Sequence, residues 1–340
     1  MKALFIGGTG TISSAITRLV AQMPEWQLYL LNRGTRSDEV PAGVTNIIAD
    51  INDEAAVADL IKDMQFDVVC DFIGFVPEQV ERDIRLFSGR TRQYMYISSA
   101  SAYQKPLSSP YITEGTLLSN PHWEYSRNKI ACEELLMHHY REDGFPVTII
   151  RPSHTYCERS VPVAVEGRNG SWQVLRRMIE GKPVIIPGDG TTLWTLTHNS
   201  DFAKAFVGLM GNAHARGEVF QIMGDESLTW NQIYQTIADA LGVELHPYHV
   251  SSDFLAAVGK QYDFEGNLIG DKAHTVIFDC TKLRRAVPGF AASVRFDQGV
   301  RMAVANILAH KELQHDDPEF DAWCDAVIAA QEDAKNRLSH

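Results

Sequence analysis

The chain has 340 residues, of which 45% are apolar, and a formal net charge of −12 at pH 7. This length and composition predict a soluble globular protein, and the acidic balance disfavours nonspecific binding to nucleic acid. Residues 1–6 run straight into a glycine turn, so this apolar stretch is too short for a secretory signal or a membrane span, and we expect a cytoplasmic protein.

Short β-rich apolar runs alternate with helical stretches from residue 1 to about 150. This alternation predicts an α/β fold with a Rossmann-type doubly wound parallel sheet, in a dinucleotide-binding domain of residues 1–150. The first helix carries Ile12, Ile16 and Val20 on one face, which suits packing on the sheet. The predicted strands are Ala3–Ile6, Gln27–Leu31, Asn46–Ala49, Val68–Phe72, Gln93–Ser98 and Val147–Ile150.

A glycine-rich turn joins the first strand to the first helix and reads Gly7-Gly8-Thr9-Gly10-Thr11-Ile12. Glycines let the backbone approach a pyrophosphate closely, and the amides at the start of a helix attract its charge. We therefore predict that Gly7, Gly10, Thr11 and Ile12 bind a dinucleotide, the alternative being a glycine turn without a ligand.

The ends of the next three strands supply further candidate cofactor contacts. Asn32 and Arg33 stand where an acidic residue would hold an NAD ribose, and Arg33 suits a 2′-phosphate, so NADP is favoured while NAD stays open. Asp50, followed by Ile51, is predicted to accept from an adenine amino group or else to cap a turn. Gly74 would let the backbone run beside the cofactor.

Tyr125 and Lys129 form a Y-x-x-x-K pair on a predicted helix. Side chains four residues apart share one helix face, so the lysine ammonium can lower the pKa of the phenol and let it exchange protons near neutral pH. The alternative interpretation is a surface helix with a solvated lysine.

The regular alternation of strands and helices ends after Arg151-Pro152, where prolines and glycines interrupt the predicted elements. We predict that residues 151–340 form a smaller, mixed substrate-binding lobe, interleaved with the first domain. Helices are expected at about 200–211, 229–242, 297–310 and 318–336, with a strand at Glu218–Met223. The five cysteines are widely spaced and have no C-x-x-C pairing, so we expect reduced thiols, mostly in the core, and no metal site.

Taken as a set, these motifs resemble the extended or atypical branch of the short-chain dehydrogenase/reductase superfamily, the NAD(P)-dependent epimerase/dehydratase family. The resemblance spans about residues 1–225 and rests on Gly7–Gly10, Asp50, Tyr96–Tyr103, Tyr125–Lys129 and Arg151-Pro152, with a weaker match at Pro187–Gly190 and His198–Ala203. It implies hydride transfer at a carbon–oxygen bond.

Carried over by position, the resemblance makes Ser99 the catalytic serine, with Ser98 or Ser101 as alternatives. It makes Tyr125 the general acid/base and Lys129 both its activator and a ligand of the nicotinamide ribose. Pro152 is assigned to the cofactor site on the same ground.

Two departures from the family pattern bear on the substrate. Trp194 stands where members that bind nucleotide-diphosphate sugars usually carry an arginine, and His154 replaces an asparagine. Without the arginine, the chain lacks a guanidinium that binds phosphate through two parallel hydrogen bonds, which weakens the nucleotide-sugar interpretation. Trp194 is expected either to stack on a sugar or to lie in the core. His154 would either hydrogen-bond a substrate hydroxyl or be an interior histidine. Arg168 and Arg176 would either bind an anionic group of the substrate or be solvated.

The leading hypothesis is an NAD(P)-dependent oxidoreductase or epimerase, acting at a hydroxyl or keto carbon of a sugar or sugar-like small molecule. The alternatives are a nucleotide-sugar epimerase or dehydratase, and a noncatalytic dinucleotide-binding protein with a regulatory or RNA-associated role. Family members commonly dimerise, which leaves a homodimer open.

Overall fold

A computed structural model describes residues 1–36 and 40–339 as two compact units. Unit 1 comprises Met1–Thr155, Thr197–Asp225 and Phe278–Ser293. Unit 2 comprises Tyr156–Leu196, Glu226–Ile277 and the residues from Val294 onward. Residues 197–225 and 278–293, which the sequence analysis placed in the second lobe, thus belong to unit 1.

The helices and strands follow one another in an order that begins as a βαβ alternation. They are β1 (Lys2–Ile6), α1 (Ser13–Ala21), β2 (Gln27–Asn32), β3 (Thr45–Ile48), α2 (Glu54–Leu60), β4 (Val68–Asp71), α3 (Pro77–Phe87), β5 (Tyr94–Ile97), β6 (Tyr111–Ile112), α4 (Glu124–Asp143), β7 (Val147–Pro152), β8 (His154–Tyr156), α5 (Trp172–Ile179), β9 (Val184–Pro187), β10 (Leu193–His198), α6 (Asn199–Leu209), β11 (Glu218–Ile222), β12 (Ser227–Thr229), α7 (Trp230–Leu241), β13 (Pro247–Val250), α8 (Ser252–Val258), β14 (Ile277–Phe278), α9 (Thr281–Ala286), α10 (Phe296–Ala309) and α11 (Pro318–Leu338).

Unit 1 is built on a seven-stranded sheet in the order β11-β7-β5-β4-β1-β2-β3, with neighbouring strands parallel. This confirms the predicted α/β fold and Rossmann-type sheet. The strand order reverses direction at β1, which puts the glycine turn at the edge where such sheets bind ligands.

Strand β11 was predicted at Glu218–Met223, in the lobe expected to be interleaved with the first domain. It extends the central sheet beside β7, with Glu218 opposite Thr148 and Ile222 opposite Pro152. The sequence of a short apolar strand does not encode which sheet it joins, so its pattern gave no partner.

The core of unit 1 forms where the buried strands meet α3 and α4. All four residues of β4 and of β5 are buried, as expected for a parallel sheet covered on both faces. Val80 and Phe87 of α3 and Leu136 of α4 pack in the same apolar cluster. Asp71, the last residue of β4, is completely buried among them.

Unit 2 contains helices α5, α7, α8, α10 and α11 together with short strands. Strands β9 and β13 pair in parallel, and β10 pairs with β12 in antiparallel fashion through Leu193–Thr195. A π-helix covers Glu265–Lys272 and contains the Gly270-Asp271-Lys272 sequence.

All five cysteines are free and buried, which agrees with their predicted place in the core. Across the residues that the structure describes, no helix has both the length and the apolar character needed to cross a bilayer.

Candidate active site

The glycine turn between β1 and α1 has the geometry that close approach of a pyrophosphate requires. Gly7 has φ +82°, and a Cβ there would lie 2.6 Å from Cγ2 of Ile73, so only glycine fits. A Cβ at Gly10 would meet only Ser13 Oγ, at 3.4 Å, which leaves the space above the turn open. The turn therefore fits a dinucleotide.

Side chains of α1 and α6 form hydrogen bonds with the backbone of this turn. Thr17 donates to the carbonyl oxygen of Gly8 over 2.8 Å, and Gly10 N donates to Oγ of Ser13 over 2.8 Å. Ser13 therefore caps the turn where the fingerprint carries a third small residue. Asn199, at the start of α6 in the same unit, donates to the carbonyl oxygen of Thr11 over 3.1 Å, and Ile12 immediately precedes α1.

The predicted adenosine contacts lie at the carboxyl ends of β2 and β3. Asn32 bonds Asn46 and accepts from the amide of Gly34, so its side chain shapes the loop. Arg33 is exposed. Asp50 is exposed and accepts from the amide of Asn52 over 2.9 Å, which makes it a turn residue in this structure.

Two further residues near the adenosine contacts have distinct positions. Ile51 is buried and belongs to the core cluster of unit 1. Arg36 donates to the carbonyl oxygen of Thr9 over 3.1 Å, which places its guanidinium beside the glycine turn. The sequence analysis did not identify Arg36, because an arginine in a loop carries no distinguishing pattern.

A chain of three hydroxyls follows the end of β5. Ser126 donates to Oγ of Ser101 over 2.7 Å, and Ser101 Oγ lies 2.9 Å from Ser99 Oγ. If the Ser101 hydroxyl donates its hydrogen bond to Ser99, the hydroxyl proton of Ser99 points elsewhere and is available to a ligand oxygen. Ser126 follows Tyr125 in α4, so this chain connects Ser99 to the helix that carries the tyrosine.

The alternative serines differ from Ser99 in exposure. Ser98 and Ser101 are almost fully buried, whereas Ser99 is half-buried. The Ser98 hydroxyl has no hydrogen-bond partner among the described residues. These positions favour Ser99 over Ser98 and Ser101 as the serine that reaches a substrate.

Tyr125 and Lys129 lie on the first two turns of α4. The Lys129 Nζ is 5.8 Å from the centre of the Tyr125 ring and 4.8 Å from the centres of the Phe75 and Tyr96 rings. Tyr125 is half-buried, and its ring lies 4.9 Å from that of Trp123, centre to centre. The ammonium is therefore surrounded by aromatic faces, which attract a cation.

Lys129 is not a solvated surface lysine, since only 2% of it is exposed. Its Nζ donates to the carbonyl oxygens of Gly74 over 2.6 Å and Ile97 over 2.7 Å. An ammonium has three donors, so one remains for a ligand. Burial lowers the pKa of Lys129 to about 8, although the charges of Asp71, Cys132 and Glu133 oppose the shift.

The Gly74 turn links these lysine contacts to the sheet. Asp71 Oδ1 accepts from the amides of Ile73 and Gly74, over 2.9 and 3.0 Å. A Cβ on Gly74 would clash with the Asp71 carboxylate, so glycine is needed here for close approach. The sequence analysis predicted Gly74 and missed Asp71, although an aspartate ending the buried run Val68–Cys70 was a visible signal.

The end of β7 holds the last candidates of unit 1. Pro152 is buried and pairs with Ile222 of β11, and His154 lies half-buried in β8. Arg151 forms a buried, bidentate ion pair with Glu133 of α4 and also donates to the carbonyl oxygen of Glu114. Arg151 therefore fixes α4 against the sheet.

The remaining substrate candidates belong to unit 2. Trp194 is buried and stacks on Trp230, with ring centres 5.8 Å apart, which places it in a core. Arg168 is exposed and donates to the carbonyl oxygen of Gln261, and Arg176 pairs with Glu180 and Asp316. The structure thus places Trp194 in packing and both arginines in intramolecular contacts.

The family model described as "NAD dependent epimerase/dehydratase family" matches residues 3–222. The chain belongs to this family. The match covers the glycine turn, Ser99, Tyr125, Lys129 and all seven strands of the central sheet. The protein is therefore an NAD(P)-dependent enzyme of the short-chain dehydrogenase/reductase type.

Family members of several activities resemble this chain. A 2'-dehydrokanamycin reductase of Streptomyces kanamyceticus is 23% identical over 290 residues, which are 85% of this chain and 80% of that protein. The chloroplast stem-loop binding protein of 41 kDa b of Arabidopsis thaliana is 28% identical over 71% of this chain and 63% of its own length. A UDP-glucuronic acid 4-epimerase from Bacillus cereus, in complex with NAD, superposes with a TM-score of 0.72 at 18% identity, covering 93% of this chain and 100% of its own.

Proposed function

We propose that this epimerase/dehydratase family member is an oxidoreductase that interconverts a hydroxyl and a keto group on a ring carbon of a sugar or sugar-like molecule. The observation that supports this most strongly is the buried Lys129 ammonium, 5.8 Å from the centre of the Tyr125 ring. A buried cation beside a phenol stabilises the phenolate and suits the phenol to acid/base work near neutral pH.

Each residue of the site then has a distinct role. Ser99, which accepts a hydrogen bond from Ser101, donates a hydrogen bond to the substrate oxygen and holds that oxygen in place. Tyr125 gives a proton to that oxygen in reduction and removes it in oxidation. The charge of Lys129 favours the phenolate of Tyr125, and its third N–H is offered to the nicotinamide ribose. The bound nicotinamide supplies or accepts the hydride.

The nature of the substrate is inferred from Trp194 and from the relatives. The tryptophan occupies a core position, so it does not replace the phosphate-binding arginine of nucleotide-sugar enzymes. The reductase of Streptomyces kanamyceticus acts, by its name, on a dehydro form of kanamycin. We therefore propose a free or glycosidically linked keto sugar as substrate.

The assay that tests this function follows cofactor and sugar together. With a keto sugar and reduced cofactor, we expect one cofactor oxidised for each hydroxyl formed. Inversion of a sugar hydroxyl without net cofactor turnover, above all with a uridine or thymidine diphosphate sugar, would instead show an epimerase.

We further propose that the preferred cofactor is NADP. Asn32 replaces an acidic ribose ligand, Arg33 is exposed after β2, and Arg36 bonds the turn at Thr9. Two guanidinium groups in this loop suit a 2′-phosphate. The similar epimerase structure from Bacillus cereus contains NAD, which favours NAD instead.

Substituting Arg33 decides between the two cofactors. We expect Arg33→Ser to raise the Kd for NADP about ten- to a hundredfold, since a charge-assisted hydrogen bond contributes roughly 1.5–3 kcal/mol. The Kd for NAD should stay within about twofold, as measured by calorimetric titration. Arg18→Ser, an exposed arginine of α1, is the control. Tighter binding of NAD than of NADP by the unaltered protein would refute the NADP proposal.

A second candidate function comes from the 28% identity to the Arabidopsis stem-loop binding protein. Binding to RNA depends on cationic contacts with phosphates, and a net charge of −12 works against it. Salt-sensitive binding of an RNA stem-loop by this protein, with no carbonyl reduction, would favour that candidate. The five buried free thiols support a reducing compartment such as the cytoplasm for either function.

A further inference from the structure

Two carboxyl groups meet at one tyrosine beneath the Gly74 turn. The Tyr94 hydroxyl lies 3.1 Å from Asp71 Oδ2 and 2.8 Å from Asp83 Oδ2. Asp71 ends β4, Asp83 lies on α3 and Tyr94 begins β5, and all three side chains are fully buried. None of the roles proposed above uses Asp83 or Tyr94.

The protons in this cluster can be counted. A phenol carries one proton, and an ionised carboxylate only accepts hydrogen bonds. If both carboxyls were ionised, one of the two contacts at Tyr94 would bring oxygen lone pairs together without a proton between them. A protonated carboxyl removes this conflict, because it donates to Tyr94 while Tyr94 donates to the other carboxylate.

The remaining contacts indicate which carboxyl keeps the proton. Asp71 Oδ1 accepts from two backbone amides, and its charge lies near the Lys129 ammonium, so ionised Asp71 is stabilised. Asp83 forms a buried ion pair with Arg82, in which Nε and Nη2 lie 2.8 and 2.7 Å from Asp83 Oδ1. Both contacts are made by Oδ1, so Oδ2 is left to carry a proton towards Tyr94. Arg82 also donates to Asn52, so its charge is shared with a second acceptor.

We propose that Asp83, Tyr94 and Asp71 form a proton-sharing relay in which neutral Asp83 donates to Tyr94 and Tyr94 donates to ionised Asp71, so that Asp71 is the positioning residue for Lys129. The positioning part rests on the proposed function, whereas the shared proton does not.

The pKa of Asp83 agrees with this assignment. Burial and then the charge of Asp71 raise it, Arg82 and Tyr94 lower it, and the resulting pKa is about 8. Asp71 in turn faces Cys70, Tyr96 and Cys132 as well as Lys129.

Asp71 of this relay acts on Lys129 in two ways, through hydrogen bonds and through its charge. Asp71 holds the amide of Gly74, and the carbonyl oxygen of Gly74 accepts from Lys129 over 2.6 Å and from Tyr96 over 3.1 Å. The charge of Asp71 also raises the pKa of Lys129 against the effect of burial. Loss of that charge should therefore move the deprotonation of Lys129 to lower pH.

The shared proton is tested without cofactor or turnover. Neutral Asp83 in the folded state and ionised Asp83 in the unfolded state mean that folding takes up a proton between pH 4 and about 8, so stability falls as pH rises through that window. We expect the Tm to fall more steeply with pH than in Asp83→Asn, by about 2 °C per pH unit. Asp59→Asn, an exposed carboxylate of α2, should keep the slope of the unaltered protein.

Infrared spectra of the folded protein give a second readout of the same proton. At pH 6 the unaltered protein should show a buried carboxylic-acid band that Asp83→Asn lacks and Asp59→Asn retains. Equal slopes together with no such band would overturn the relay. If Asp83→Asn does not fold, Tyr94→Phe is used: it should keep the carboxylic-acid band but shift its frequency, because it removes the hydroxyl to which the acid donates and keeps the ring packing on Phe145. An unshifted band would then overturn the relay.

The positioning role is tested by a pH profile. In Asp71→Asn the fall of kcat/KM at alkaline pH should move to lower pH, because the charge of Asp71 raises the pKa of Lys129, whereas purely structural damage would lower kcat/KM equally at every pH. An unmoved profile overturns the role of Asp71 while the relay stands on the Tm and infrared results. Full activity of variants at Tyr125 and Lys129 would instead refute the proposed function and leave the shared proton untouched.

Discussion

Replacing Tyr125 with phenylalanine is expected to lower kcat roughly 10²–10⁴-fold, the usual contribution of a general acid/base group. The phenyl ring keeps the packing against Trp123 and Phe75, whose ring centres lie 4.9 and 6.5 Å away. The Tm and the Kd for the cofactor should therefore change little. Steady-state kinetics beside a thermal melt and a cofactor titration separate lost chemistry from lost structure.

Tyr111→Phe is the matched control, because Tyr111 lies in unit 1 and its side chain is largely exposed. This variant should keep the kcat of the unaltered protein. A Tyr125→Phe variant that retained kcat within about threefold would show that the phenol is not the acid/base group.

Replacing Lys129 with methionine is expected to lower kcat/KM by at least about 10², since the Tyr125 phenol then loses its neighbouring cation. Methionine fills the space between the Phe75 and Tyr96 rings but removes the ammonium that donates to the carbonyl oxygens of Gly74 and Ile97. Weaker cofactor binding should accompany the loss, because the third N–H of the ammonium is also removed.

The pH dependence of activity and of stability tests the role of the Lys129 ammonium specifically. Because burial lowers its pKa from 10.5 to about 8, activity that depends on the ammonium should decline as the pH rises through about 8. The folded state also loses this proton before the unfolded state, so stability should rise between pH 8 and 10.5. Lys129→Met should lack both effects, whereas Lys62→Met, at an exposed lysine, should retain them. An alkaline decline that survived in Lys129→Met would assign it to another group.

The sheet could be predicted from the sequence because buried parallel strands are short apolar runs separated by helices. Strands β1 to β5 and β7 lie within two residues of their predicted bounds. The place of β11 could not be predicted, since its pairing with β7 is fixed by contacts between distant parts of the chain. The assignment of residues 197–225 to unit 1 follows from the same pairing.

At the site, spacing predicted the shared helix face of Tyr125 and Lys129 but not the burial of the lysine. That burial depends on Phe75, Tyr96 and the Gly74 carbonyl, which come from other elements of unit 1. Asp83 and Tyr94 carry no motif at all, and only the fold brings them to Asp71. Trp194 had two interpretations in the sequence, and its stacking on Trp230 favours the core.

The central claim is that this protein transfers a hydride between a nicotinamide and a sugar carbon, and isotope tracing tests it most directly. The protein is incubated with a keto sugar and reduced cofactor carrying deuterium at both C4 positions, and the product is analysed by mass spectrometry. We predict one deuterium on the carbon that bears the new hydroxyl, with little labelled product from Tyr125→Phe. Product without deuterium, or labelled product formed equally by Tyr125→Phe, would contradict the account.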